Sequence, residues 1–401
     1  MTRVHYREIE GRSGGYYALL AALGALIVAG VGAAWTMEHH GHYVTGMSNR
    51  VVWGVPHVFA LFLIVAASGA LNVASIASVF GRDLYKPLTR LSGLLAIALL
   101  AGGLSVLVLD LGRPDRLIVA MTHYNFKSVF AWNIFLYSGF FAVVAVYLWT
   151  MFERRMNGYT GRAGLFAFVW RLVLTTGTGS IFGFLVAREP YNSALLAPLF
   201  IVMSFSFGLA VFLLVLVAVY RGSGRVLGDA VLNRLGNLLG VFVAAVLYFV
   251  LVQHLTNLYV TRQHEVERFI LISGGVYTAL FWVGQVLVGA IVPLGLLYFP
   301  RAARSRGSLV AAAACVVVGG LAQLYVLIIG GQAYPQMMFP DKEVASSFFD
   351  GVVAAYAPSL PEIALGAGGV ALALALTLLA LKLLPFLPQS LADADVDSSP
   401  A

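Results

Sequence analysis

The sequence predicts an all-α integral membrane protein, a polytopic bundle of about ten transmembrane helices. Of its 401 residues, 60% are hydrophobic and only 11% are charged, whereas soluble globular domains carry roughly 25% charged residues. Apolar segments of about 20 residues or more, enough to cross a hydrocarbon core about 30 Å thick, recur along the chain. Such segments must be helical, because lipid offers the backbone no hydrogen-bond partner and the strands of membrane barrels are shorter.

Ten segments of this kind follow one another, and we expect them to form a single membrane domain over residues 1–390. The first follows the charged stretch MTRVHYREIEGRSGGYY without a small-residue cleavage site, so we interpret it as a retained helix and not as a signal peptide. The acidic and polar tail, 391–401, is predicted to be disordered in the cytoplasm. The predicted spans lie near 16–36, 51–80, 91–111, 129–151, 164–187, 195–220, 235–256, 269–297, 308–330 and 362–384.

The Lys and Arg residues of the loops predict the orientation. Of the 25 such residues, 16 lie in loops on the side of the N-terminus, 8 lie in the opposite loops, and Arg171 lies within a span. Because cytoplasmic loops carry the excess of basic residues, both termini are predicted to face the cytoplasm of a bacterial inner membrane. The net charge of +7 is therefore a topology signal, and the expected surroundings are lipid and not nucleic acid.

Polar side chains from six spans are predicted to converge near the outer face. In the stretch VVWGVPHVFALFLIV, His57 lies inside a span and follows Pro56, which the first turns of a helix tolerate. Ionisable side chains in spans are costly to bury, so each is a functional candidate. The outer set comprises His57, Asp110, Trp132, Asn133, Arg188, Glu189, Gln253, His254 and Glu362.

Simpler explanations compete with a functional one for these residues. The charged residues that end the fifth span or begin the tenth are expected to reach the water beyond the helix. Asp110 either forms an ion pair with Arg113 and Arg116 that fixes a loop, or it contacts a ligand. His57 either serves a ligand or is hydrogen-bonded to a neighbouring helix, and its position inside a span favours the ligand.

A polar stripe continues below His57 on the same helix. Ser68, Asn72 and Ser75 follow His57 by 11, 15 and 18 residues, which places them within roughly 60° of it at about 100° per residue. The stripe is a candidate path for protons. Close packing of small residues against another helix explains the same pattern.

The chemistry of these residues favours a quinone. Two span histidines, His57 and His254, do not make the four-histidine pattern of two haems, so no haem is expected. Cys315 is the only cysteine, so we predict no iron–sulfur cluster and no metal site in this protein. A quinone head group needs hydrogen bonds to two carbonyls in an apolar pocket and proton exchange with a group such as His. A transporter, a proton-translocating module without quinone chemistry and a structural anchor remain alternatives.

Three stretches resemble the NrfD and polysulfide-reductase family of membrane subunits. They are WGVPHVFALFLIVAASGALNVASIASVFG (53–81), LDLGRPDRLIVAM with HYNFKSVFAWNIFLY (109–137), and TGTGSIFGF (176–184). The resemblance covers spans two to nine, and LGRP after a span is its most specific motif. It implies two four-helix bundles, spans two to five and six to nine, with spans one and ten outside them.

The resemblance also implies a function. The protein is expected to be a quinone- or quinol-interacting subunit of a respiratory oxidoreductase complex, taking menaquinone or ubiquinone near the outer face. An extracytoplasmic ferredoxin-like iron–sulfur subunit is expected to dock on that face and exchange electrons, with other membrane and cytochrome subunits in the complex. Dissimilatory sulfur metabolism is the expected setting.

Individual residues match the family's motifs. His57 matches a quinone ligand, expected to bond a carbonyl and transfer a proton, while Asp110, Arg113 and Pro114 match a loop motif near the quinone and the partner. One departure is Thr176, where many relatives have a histidine, which removes any role of that histidine here. The expected cofactor-binding set is His57, Asp110, Arg113, Trp132, Asn133 and His254.

Overall fold

The computed structural model describes residues 5–299, 305–336 and 351–396, and in these ranges ten helices are long and apolar enough to cross a membrane. The predicted all-α class is confirmed. The strands named in the described ranges are the two-residue β1 (Tyr6–Arg7) and β2 (Leu387–Pro388), which pair antiparallel. The helices are α1 (Gly14–His40), α2 (Val55–Ser78), α3 (Asp83–Leu109), α4 (Val129–Phe152), α5 (Arg154–Gly183), α6 (Leu196–Ser223), α7 (Asp229–Tyr259), α8 (Val276–Tyr298), α9 (Arg306–Ala333) and α10 (Leu360–Leu383).

The helices pack as two four-helix bundles with two outer helices, as the resemblance implied. Helices α2 to α5 form the first bundle and α6 to α9 the second, while α1 and α10 pair and cover α2 and α3. The bundles meet where α2 crosses α6. There a Cβ added to Gly69 would lie 1.6 Å from the backbone oxygen of Ser204, so the two backbones touch at this point. Small residues permit such close approach of membrane helices.

The eighth span begins later than predicted. Residues Phe269–Ser273 form a separate helical turn, and Gly274 and Gly275 separate that turn from α8. Gly275 has a φ of 60°, a conformation that residues with a Cβ rarely adopt. The apolar character of the segment is continuous across this break, which is why hydrophobicity alone placed the start at residue 269.

Part of the predicted disordered tail is ordered. Leu391 forms a backbone bridge with Leu227, Asp393 accepts a hydrogen bond from the Ala230 nitrogen at 3.0 Å, and Asp393–Val396 form a helical turn. The prediction is therefore corrected for 391–396, and residues 397–401 lie outside the described ranges. The tail caps the start of α7, a contact that composition does not reveal.

Candidate functional site

His57 and Asp110 form the centre of a buried polar site. His57 lies in the first turn of α2 after Pro56, whose missing N–H costs nothing at that position. Asp110 directly follows the last residue of α3, and its Oδ2 lies 3.0 Å from Nδ1 of His57. The Asp110 side chain is 1% exposed and that of His57 is 20% exposed. A buried carboxylate thus lies at ion-pair distance from one nitrogen of a ring whose remaining edge reaches the surface of the protein, without a regular hydrogen bond between the two.

A second histidine, His42, contacts the same aspartate from the short connection between α1 and α2. Its Nε2 lies 3.7 Å from Oδ1 and 3.2 Å from the backbone oxygen of Asp110. Gly112, with a φ of 68°, turns the backbone beside the His42 ring. Sequence reasoning missed His42, although the cluster EHHGH at 38–42 was a visible signal. Asp110 therefore lies between two imidazoles.

The contact between His42 and Asp110 predicts how the stability of the fold depends on pH. The side-chain contact with the Asp110 carboxylate raises the pKa of His42 above its usual value, with Glu38 adding to the effect and burial opposing it. A raised pKa in the folded protein means that protonated His42 stabilises the fold. This contribution is complete below the ordinary histidine pKa of about 6.5 and is lost as pH rises through the folded value.

We therefore expect the melting temperature of the wild-type protein to fall relative to that of His42→Gln as pH is raised from about 6 to about 8. Differential scanning fluorimetry of the detergent-solubilised protein measures this slope. His123→Gln is the matched control, since His123 is exposed and contacts Thr122 alone among the described side chains. Equal pH slopes for wild type and His42→Gln would contradict the assignment.

An aromatic wall stands beside His57. The Trp53 ring lies 6.1 Å from the His57 ring, and Phe130 and Phe182 lie 5.9 and 5.7 Å from Trp53. The three rings come from the segment just before α2, the start of α4 and the end of α5. Trp53 and Phe130 were not predicted as site residues, because isolated aromatic residues at span ends are common. The partly exposed edge of His57 thus borders an apolar surface.

Hydrogen bonds from α9 and α10 fix the segment that leads into α2. Gln332 Oε1 accepts from the backbone nitrogens of Val52 and Trp53 at 2.9 and 3.0 Å. Glu362 is fully buried and accepts from the Tyr356 hydroxyl at 2.6 Å, and that hydroxyl in turn accepts from the Val55 nitrogen. The expectation that Glu362 reaches water is therefore wrong. These residues hold Trp53 and His57 in position.

The charged residues at the end of the fifth span also have protein partners. The Arg188 guanidinium donates to the backbone oxygens of Gln332 and Arg50 at 3.1 and 3.0 Å, so it fixes the same segment and does not simply reach water. Glu189 pairs with Arg262 at 3.1 Å, and the Arg262 side chain is largely exposed. The side chain of Glu189 therefore lies at the water-facing rim.

Other predicted site residues lie apart from the His57 and Asp110 pair. Arg113 pairs with the exposed Asp115 at 3.3 Å, because the turn at Gly112 directs the backbone away from Asp110. The predicted ion pair between Asp110 and Arg113 is thus corrected. The Trp132 indole is half exposed and donates to the Phe126 backbone oxygen at 2.9 Å.

Asn133 is buried between α4 and α5. Its Nδ2 donates to the backbone oxygens of Val129 and Gly177 at 2.9 and 3.2 Å. Thr178 also approaches its Oδ1, at 3.5 Å. These contacts join the two helices, and they do not bring the amide to His57.

His254 belongs to a separate cluster in the second bundle. Its Nδ1 lies 2.6 Å from Oε2 of Glu267, which is fully buried and also accepts from Asn257 Nδ2 at 2.8 Å. Gln253 borders a cavity of about 50 Å³ beside this cluster, far below the roughly 300 Å³ of small-molecule pockets. His57 and His254 therefore do not share one site, and Glu267 is a partner that the sequence analysis missed.

The predicted polar stripe of α2 is buried throughout. Ser68 donates to the backbone oxygen of Arg171 on α5 at 3.3 Å, and Ser75 donates to the Leu71 oxygen of its own helix at 3.0 Å. Asn72 Nδ2 is buried without a hydrogen-bond partner in the described part of the protein. Ser68 thus contacts α5, and two of the three side chains of the stripe already donate to backbone oxygens.

The chemistry of the His57 site is proton exchange next to an apolar surface. Because Nδ1 faces the buried Asp110 carboxylate, Nε2 of His57 is the atom that can donate to, or accept a proton from, an oxygen of a molecule against the aromatic wall. The buried carboxylate stabilises the imidazolium that forms when Nε2 accepts a proton. A site of this kind suits a ligand that is apolar and carries exchangeable protons.

Comparisons with known proteins agree with this fold. The sequence is 29% identical over 389 residues to the Hdr-like menaquinol oxidoreductase integral membrane subunit of Archaeoglobus fulgidus, covering 96% of this protein and 97% of that one. It is 26% identical over 309 residues to one polypeptide of the polysulfide reductase of Wolinella succinogenes, covering 71% and 96%. It is 23% identical over 401 residues to one polypeptide of the selenate reductase of Mesobacillus selenatarsenatis, covering 90% and 92%.

The family match covers most of the membrane region that holds the site. Residues 43–336 match the family described as polysulphide reductase, NrfD. This range includes both four-helix bundles, His57 with Asp110, and the Gln332 that fixes the start of α2. A ten-span chain with two such bundles, matched over this length, belongs to the polysulphide reductase NrfD family.

Proposed function

We propose that this protein is the quinone-reactive membrane subunit of a respiratory redox complex, and that His57 with Asp110 forms its quinone site. The observation that carries the proposal is a partly exposed imidazole, 3.0 Å from a buried carboxylate and bordered by aromatic rings. A quinone offers two carbonyl oxygens on an apolar ring and reaches its site from the bilayer. The relative from Archaeoglobus fulgidus, named a menaquinol oxidoreductase subunit, supports menaquinone as the ligand.

The residues of the site accept and donate the protons of the reaction. In quinol oxidation, two electrons pass to the partner and the two hydroxyl protons leave one after the other. His57 Nε2 accepts each proton and releases it to the outside before the next, while Asp110 stabilises the imidazolium. In quinone reduction, the same atoms act in reverse, and Nε2 donates. His42 lies on the other side of the Asp110 carboxylate, and its side chain is 30% exposed. It connects the pair of His57 and Asp110 to the water outside.

The electrons pass to an iron–sulfur subunit on the outer face. Arg113 and Trp132 lie at that face with exposed side chains, next to the end of α3 that carries Asp110. We assign them to the surface that the partner covers, with both termini in the cytoplasm of an inner membrane. Because the motifs are also similar to those of DsrP, a membrane subunit of sulfur-metabolising bacteria, we extend the proposal to dissimilatory sulfur metabolism.

Extraction of the purified complex tests the proposal. We expect an organic extract to contain quinone in about equimolar amount to this protein, and reduced menaquinone analogues to reduce the partner's iron–sulfur centres. Liquid chromatography and absorption spectroscopy measure the two quantities. A complex without quinone that also fails to react with quinol would favour a transporter or a structural anchor instead.

A further inference from the structure

Arg171 is a buried charged side chain of α5 that lies beside α6. It lies near the middle of α5 and is 0% exposed, and none of its three guanidinium nitrogens has a hydrogen-bond partner among the described residues. The guanidinium carbon lies 4.9 Å from the Phe168 ring and 5.0 Å from the Phe205 ring. No described carboxylate forms an ion pair with it, although buried arginines are normally paired.

The arginine lies at the level where the polar stripe of α2 meets α5. The backbone oxygen of Arg171 accepts the Ser68 hydroxyl. Side chains of a helix lean toward its N-terminus, so the guanidinium lies beside Phe168, one turn before Arg171. Because α2 runs antiparallel to α5, that turn is level with the part of α2 that follows Ser68. Asn72, whose Nδ2 is buried without a partner among the described residues, lies in this part.

The backbone of α2 is interrupted at this level. The helix divides into Val55–Ala70 and Asn72–Ser78, with Leu71 between them. Two backbone groups at the interruption, the Ala70 oxygen and the Ala74 nitrogen, bond to the Ser92 side chain of α3. The Ser92 hydroxyl donates to the Ala70 oxygen at 2.7 Å and accepts from the Ala74 nitrogen at 3.1 Å. The interruption, the unpaired amide and the unpaired guanidinium thus lie at about the same depth of the protein.

The charge on Arg171 is permanent. A guanidinium does not lose its proton in proteins, and two aromatic faces compensate only part of the cost of removing it from water. The unpaired groups at this level, the Asn72 amide nitrogen and the guanidinium nitrogens, are all donors. They therefore attract acceptors such as water oxygens and repel any hydrated proton that approaches.

We propose that Arg171 is a charge barrier beside the polar stripe of α2. It prevents protons from crossing along Ser68, Asn72 and Ser75, so that the His57 site exchanges protons with the outer side alone. A fixed positive charge in a narrow polar passage excludes protons and cations by the same electrostatics that act in channels. The statement about His57 rests on the proposed function, whereas the barrier itself does not.

Passive proton flux in liposomes tests the barrier without quinone chemistry. The purified complex is reconstituted with a pH-sensitive dye inside the vesicles, and a potassium gradient with valinomycin drives proton entry. We expect the wild type to match protein-free liposomes. Arg171→Gln, which keeps a polar side chain but removes the charge, should admit protons severalfold faster.

Arg171→Met gives a second measurement that does not depend on flux. Since it removes a buried charge that has no acceptor among the described residues, its melting temperature should equal or exceed that of the wild type. A drop of many degrees would show that Arg171 binds a partner group, and it would overturn the proposal. Equal flux in wild type and Arg171→Gln would overturn it as well. Because no quinol is present, failure here leaves the quinone assignment of His57 standing.

Discussion

Replacing His57 with glutamine should slow quinol-dependent reduction of the partner subunit by about 10²- to 10⁴-fold, the usual contribution of a general acid or base. Glutamine still offers a hydrogen bond to a quinone carbonyl, but it cannot accept the proton that oxidation releases. The expected loss is therefore mainly in kcat, with KM changed less. Stopped-flow spectroscopy of the partner's iron–sulfur centres in the purified complex measures the rate.

Two comparisons make this result specific. Reduction of the same centres by dithionite should be unaffected by His57→Gln, which shows that the partner is intact. His254→Gln changes a histidine in the second bundle whose hydrogen bond to Glu267 a glutamine can replace, and we expect it to retain most activity. If His254→Gln lost the activity and His57→Gln kept it, the quinone site would have to be assigned to the second bundle.

Replacing Gly69 with alanine should destabilise the contact between the two bundles. The new Cβ would lie 1.6 Å from the Ser204 oxygen and 3.1 Å from the Gly208 Cα, so α2 and α6 must move apart. Overpacking of this kind costs about 1–3 kcal/mol when side chains can adjust. We expect a loss at or above the upper end, because the clashing atom is backbone and cannot rotate away. The melting temperature of the solubilised protein should fall by several degrees.

Gly32→Ala is the matched control for that substitution. Gly32 lies in the middle of α1 on its exposed side, and a Cβ there would meet no atom within 4 Å. It should leave the melting temperature unchanged or raise it slightly, since alanine favours the helix more than glycine does. Equal melting temperatures for Gly69→Ala and Gly32→Ala would show that α2 and α6 are not in backbone contact.

Residue patterns near the site allowed only part of it to be predicted. His57 was identifiable because an ionisable side chain inside an apolar segment stands out from its neighbours. Asp110 was identified too, but the protein partners considered for it were Arg113 and Arg116, the nearest basic residues in the sequence, with a ligand contact as the alternative. In the structure, the carboxylate pairs with His57 and His42, which are 53 and 68 residues away in the sequence.

The class of the protein, the number of spans and the presence of polar groups at their ends were predictable from residue patterns. These features follow from hydrophobicity, length and charge, which are properties of each segment alone. Which polar groups meet depends on how the helices pack in three dimensions. Packing fixes how each helix is rotated and which helices, distant in the sequence, it contacts. As a result, His57 and His254 lie in separate clusters, and His42 joins the site of His57. Packing also leaves the Arg171 guanidinium without a partner among the described residues.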